Sequence, residues 1–128
     1  MRLPLSVFVL LLAARAASAQ NAITVNEVLV DRATHHTIGI QVLIAGDANR
    51  NATISVRARL ATATMVRDAP ALFRVFPETV TARTVPEQFA GTIFDLAPGN
   101  TYELELSTVD PDGGNDTRTA VRQMARLS

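Results

Sequence analysis

Apolar and polar residues alternate with a period of two along most of this chain, the period of strands with one face in a core and one in water. The run Ile38, Ile40, Val42, Ile44 shows it most clearly. A second run sets Ile54, Val56, Ala58 and Leu60 against Thr53, Ser55, Arg57 and Arg59. A third sets Tyr102, Leu104 and Leu106 against Thr101, Glu103, Glu105 and Ser107, and Phe89, Gly91 and Ile93 form a shorter one before it. Residues 23–30 predict an opening strand whose apolar parity changes from Ile23 and Val25 to Val28 and Val30, which requires a bulge near Asn26 and Glu27. The pattern weakens over 61–87: residues 72–76 predict a short edge strand, and the Thr- and Pro-rich stretch 77–86 predicts a surface loop. A turn cluster at 110–116 precedes a last strand over 117–124. No helical period competes, so the expectation is an all-β fold, a seven-stranded antiparallel β-sandwich.

The stretch 89–102 is the corner of that arrangement. Pro98 fixes φ near the value a turn's first central residue takes, and Gly99 accepts the positive φ that often follows. With Leu96 before the turn and Tyr102 after it, the pattern predicts a tyrosine corner: the ring of Tyr102 lies on the core and its hydroxyl bonds back to turn backbone.

Composition changes the picture at two points. Residues 1–19 have the form of an export leader, with Arg2 as the positive start, an apolar run over 5–14 and Ala17-Ser18-Ala19 as a small-residue cleavage site. That apolar run is too short to span a bilayer comfortably, so no membrane span is expected after cleavage. Removing 19 of the 128 residues leaves 109, one domain over 20–128. Arg2 and Arg15 depart with the leader, leaving 10 basic against 12 acidic residues, and a net charge near −2 offers no footprint for nucleic acid and no polybasic anchor. All 12 basic residues are arginine and cysteine is absent, so the fold stands on packing alone. The expected location is secreted or periplasmic, in a bacterial setting.

With these residues in view, the chain resembles a fibronectin type III domain, within the wider immunoglobulin-like group of sandwiches, over nearly all of 20–128. Leu96-x-Pro98-Gly99-x-x-Tyr102 carries the resemblance, together with the strand order around it. Gly39-Ile40-Gln41, residues 46–53, residues 89–96 and Asp110-Pro111-Asp112-Gly113-Gly114 look like the type III-like modules of secreted bacterial multidomain proteins. Such modules often precede larger domains, including β-helices of the polysaccharide-lyase type. Two departures stand out: the chain has no tryptophan, Val42 taking the place where type III domains usually carry one, and no downstream domain follows. The resemblance therefore implies a module that acts alone or a piece of a longer protein.

On that topology the loops 45–51 and 110–116 emerge at one pole. They bring together Asp47, Asn49, Asn51, Asp110, Asp112, Asn115 and Asp116, oxygen-bearing side chains of the kind calcium takes. The same residue types also cap turns and tolerate left-handed backbone. Asp47-x-Asn49-x-Asn51 begins like an EF-hand loop, but Ala52 stands where that loop needs glycine and Ala58 where it needs glutamate. No metal ligand set or cofactor is assigned; calcium at this pole is kept as an alternative.

The remaining candidates point away from catalysis. His35 and His36 are adjacent, so in a strand they face opposite ways and do not share an ion. There is no cysteine nucleophile, Gly-x-Ser-x-Gly elbow, phosphate-cradling glycine loop or His-Glu-x-x-His. Glu103 and Glu105 share a strand face, where Arg57 and Arg59 on one side and Arg118 and Arg122 on the other are expected to pair with them across strands. Sugar stacking is not expected with no tryptophan and one tyrosine, already assigned to the corner. Asn51-Ala52-Thr53 and Asn115-Asp116-Thr117 fit the glycosylation pattern, which carries little if the source is bacterial. The functional expectation is a non-catalytic exported module for spacing, presentation or protein contact. Its rivals are an accessory unit of a polysaccharide-active protein and a calcium-dependent adhesion module.

Overall fold

The computed structural model describes residues 21–127. The leader expectation for 1–19 lies outside them. Eight strands follow in chain order: β1 (Ile23–Val30), β2 (Ile38–Gly46), β3 (Thr53–Leu60), β4 (Arg67–Ala69), β5 (Phe73–Val75), β6 (Gln88–Ile93), β7 (Thr101–Val109) and β8 (Asp116–Gln123), with a 3₁₀ turn at Pro77–Thr79 between β5 and β6. They form two four-stranded antiparallel sheets, ordered β1-β2-β6-β5 and β4-β3-β7-β8. The first order is A-B-E-D and the second contains C-F-G of the constant-type immunoglobulin sandwich, with β4 added at the edge beside C. The expectation of seven strands is corrected to eight. The extra strand, β4, is three residues long and polar or exposed over most of its length, too short to show a period.

Alternation decides which side of each strand enters the core. Ile38, Ile40, Val42 and Ile44 of β2 face Ile54, Val56 and Ala58 of β3 and Leu104 and Leu106 of β7 across a dry interior, completed by Phe89, Ile93, Leu96 and Met124. β1 joins this core twice. Its register with β2 slips between Val25 and Glu27, so Asn26 is the extra residue and both Val25 and Val28 turn inward. Gly91 has a packing reason: a Cβ there would approach Leu72 Cδ2 to 2.7 Å, and Leu72 fills the space a side chain would take.

The cross-strand ladder forms on one side only. β3 and β7 pair Arg57 with Glu105 and Arg59 with Glu103, with Nη–Oε distances of 3.8 and 2.8 Å. In the β7–β8 register, however, Glu105 lies opposite Thr119 and Glu103 opposite Val121. Arg118 and Arg122 therefore stand on the other parity, and the expected pairing with the glutamates is corrected. They reach across the open side of the sandwich instead, Arg118 Nη2 donating to the Val25 carbonyl at 2.9 Å and Arg122 Nη2 to the Val30 carbonyl at 3.1 Å. β1 is an edge strand, and Val30 lies on the parity that turns away from β2, because Asp31 N–H, next along, bonds Gly39 O. Two arginines from one sheet thus cap the free edge of the other.

Candidate functional site

Two loops meet at one pole. Residues 47–52 join β2 to β3 across the sheets, 110–115 join β7 to β8, and the start of β1 lies between them, with Ile23 N–H bonding Gly113 O at 3.2 Å and Asp47 N–H bonding Ala22 O at 3.3 Å. Left-handed backbone at Gly46, Asp47, Arg50, Gly113 and Gly114 folds both loops tightly. At Gly114 no other residue fits, since a Cβ would overlap the Ile23 carbonyl.

Each acidic or amide side chain of the pole has a bonded place. Asp47 is almost wholly buried; one oxygen accepts the Asn51 N–H at 3.2 Å and the other pairs with the Arg74 guanidinium, itself mostly buried. Asp110, 4% exposed, accepts the Ile23 N–H on Oδ2 and the Asp112 N–H on Oδ1, both at 2.9 Å, and its own N–H donates to Asn115 Oδ1 at 2.8 Å. Asp112 Oδ2 accepts from two side-chain amides, Asn49 at 2.6 Å and Asn51 at 3.0 Å. Asp116 departs from the cluster and accepts from Arg118 Nε at 3.0 Å. The loops do converge, with Asn49 and Asn51 both turning their side-chain amides to Asp112. Among the described residues, no group of three or more His, Cys, Asp or Glu is placed to hold a metal.

Two arginines that the sequence reading did not single out complete this pole. Arg74, in β5, lies opposite Phe89 on the inward parity and stacks on that ring at 4.6 Å while binding Asp47. The signal was present: a single cation inside the apolar run Leu72-Phe73-Arg74-Val75-Phe76 has to find a carboxylate when it turns inward. Arg50 lies 4.8 Å from the Phe76 ring and binds Glu78 through both nitrogens, at 2.6 and 3.1 Å. The hydrogen bond from Arg50 holds the Glu78 carboxyl below its ordinary pKa, and the guanidinium is raised in return.

The opposite pole belongs to the corner. The Ala97 N–H donates to Tyr102 Oη at 2.9 Å, Leu96 is buried, and Gly99, at φ 74°, donates its N–H to Ala125 O at 3.2 Å. Pro98 stands between Ala97 and Gly99 in the same turn. The histidines lie here, in a bend rather than a strand, so the expectation that they face opposite ways along a strand is corrected. Their Nδ1 atoms approach carbonyls of different segments, His35 that of Ala125 at 3.2 Å and His36 that of Leu96 at 3.0 Å. His35 ties the β1–β2 connection to the segment after β8 and His36 ties it to the β6–β7 connection, which is a structural role.

No protein-family model matches this chain, and no curated protein matches it. Among solved structures it is similar to one of murine CRIg, at 16% identity over 80% of this chain and 100% of that one, with a TM-score of 0.36. A likeness that distant assigns no function, and the immunoglobulin-like description of the fold rests on the strand order above.

Proposed function

We propose that this chain is a non-catalytic, exported β-sandwich module that holds what adjoins it at a fixed separation and offers its surface for protein contact. One observation carries the reading: the side chains with the greatest chemical potential are bonded into the framework itself. Asp47, Asp110 and Arg74 are buried and paired, and Asp112 is bracketed by amides. The described backbone enters beside Ile23 at the loop pole and leaves past Met124 at the corner pole, so attached partners stand about one strand length apart, ~25 Å for eight residues.

Export is supported by Arg2, the apolar run over 5–14 and Ala17-Ser18-Ala19. The type III reading, with its bacterial multidomain setting, is supported by the Leu96-x-Pro98-Gly99-x-x-Tyr102 corner and by a sandwich without cysteine. A calcium-dependent adhesion module is the second reading, favoured by the convergence of Asn49, Asn51 and Asp112. An accessory role beside a polysaccharide-active domain rests on the resemblance alone.

One experiment separates the first two. The protein is placed between two fluorescent reporters and the distance between them is measured with excess calcium and with chelator. A single narrow distance, unchanged by calcium and accompanied by an unchanged melting temperature, is the expected result. A calcium-dependent distance, or a large rise in melting temperature on adding calcium, overturns it in favour of the ion-dependent module.

A further inference from the structure

We infer that the free edge of β8 is a self-association surface, and that its occupant is β8 of a second copy of this chain, paired antiparallel about Thr119. The argument starts from which backbone groups point outward. Met124 N–H bonds Asn100 O, which continues the β7–β8 ladder, so by antiparallel alternation the even-numbered residues of β8 bond to β7. The N–H and C=O of Thr117, Thr119, Val121 and Gln123 then face away from the sheet. Among the described residues only the Val121 carbonyl has a partner on that side, Arg122 Nη1 at 2.9 Å.

The other sheet edges differ. β1 is bulged and capped by Arg118 and Arg122, while β4 and β5 are three residues each, followed by Pro70 and Pro77 after short intervals. β8 alone is eight residues long with neither bulge nor proline, the kind of edge that accepts a strand.

The occupant follows from charge. Arg118 and Arg122 lie on the inward parity of β8, and such charges repel an added strand that offers them nothing. A two-fold axis normal to the sheet keeps each residue on its own face, so only residues of equal parity can lie opposite one another. Centred on Thr119, the pairing sets Asp116 opposite Arg122 twice, Arg118 opposite the small Ala120, Thr117 opposite Val121, and Thr119 opposite itself. Centred on Arg118 it would set that arginine against itself; centred on Ala120 it would set Arg118 against Arg122. β8 is therefore complementary to itself in one central register, and a foreign strand lacking an acid at that place is excluded. Arg122 Nη1 gives up the Val121 carbonyl for Asp116 of the second copy, freeing the one edge group already taken, while Nη2 keeps the Val30 carbonyl and with it the cap on β1.

The test uses the purified protein. Sedimentation equilibrium over a wide concentration range should show a passage from one chain to two. Thr119→Pro should abolish it with little change in melting temperature, because that N–H is not part of the β7 ladder. Asp116→Arg should weaken association on the order of tenfold or more, and adding Arg122→Asp to it should restore association. The chain has no cysteine, so a single one reports register: across a bonded antiparallel pair the Cα atoms are about 5.5 Å apart, within disulfide reach. Thr119→Cys should form a disulfide-linked dimer under mild oxidation and Val121→Cys should not. A single-chain mass at every concentration overturns the inference, as does a dimer that persists in Thr119→Pro or cross-links equally through both cysteines. Should Thr119→Pro fail to fold, the cysteine pair and the charge swap decide the matter.

Discussion

The chain carries two sets of ion pairs built from the same residue types, and they differ in what surrounds them. At the loop pole, Asp47 and Arg74 are withdrawn from water, with Asp47 also holding the Asn51 N–H and Arg74 lying on Phe89. On the outer face of β3 and β7, Arg57–Glu105 and Arg59–Glu103 stand in solvent, each side chain between about a third and a half exposed. A buried charge without its partner loses its solvation, whereas an exposed one keeps it. Similar pairing in sequence thus fixes loop geometry in one place and contributes mainly solubility and register in the other.

The largest break in this comparison is expected from Asp47→Ala. It leaves the Arg74 guanidinium buried and unpaired and frees the Asn51 N–H, so unfolding in denaturant should show a loss of about 3–5 kcal/mol. Adding Arg74→Met should recover part of that loss, since the orphaned charge is then gone. Equal losses for the single and double variants would mean that Asp47 acts through loop backbone alone. Asp110→Asn comes next. Both carboxylate oxygens accept backbone N–H groups, and an amide offers only one acceptor while turning its own N–H toward the other donor. The expected cost is about 1–3 kcal/mol, read in the same titration. Tyr102→Phe removes one acceptor from the Ala97 N–H and should cost about 1 kcal/mol; a neutral result would separate the bond from the stability of the corner.

The same contrast explains how far the sequence could be read. Period-two runs identify β2, β3 and β7 because those strands have one dry and one wet face, and the parity change around Asn26 locates the bulge for the same reason. β4 was illegible because three residues cannot display a period. The placement of Arg118 and Arg122 was misread because parity in β8 depends on its register with β7, which the polar, threonine-rich strand leaves open. The residues of the loop pole were legible as a group, since turn chemistry selects them. Their roles were not, because whether an aspartate binds a cation or caps its own loop depends on which N–H groups arrive beside it. Arg74 was the missing half: it comes from β5, a strand too short to assign its facing.

On the exposed set the effects are smaller and depend on the solution. Glu103→Gln, which removes one partner of Arg59, should change stability by less than about 1 kcal/mol, less still at high salt. The exposed pair Arg50–Glu78 offers the finest test, because acid reads it directly. Its hydrogen bond from Arg50 keeps the folded Glu78 carboxyl below the ordinary value of 4.5. On acidification the unfolded chain takes up that proton first, so within this window stability rises with pH. The pair's contribution is complete above the unfolded value and is lost as pH falls through the lower, folded one. Glu78→Gln should therefore flatten the stability profile between those two values and leave its slope near neutrality unchanged. An unaltered acid slope would show that the bidentate contact adds nothing to folding, and would place it with the solvent-exposed ladder despite its position at the pole.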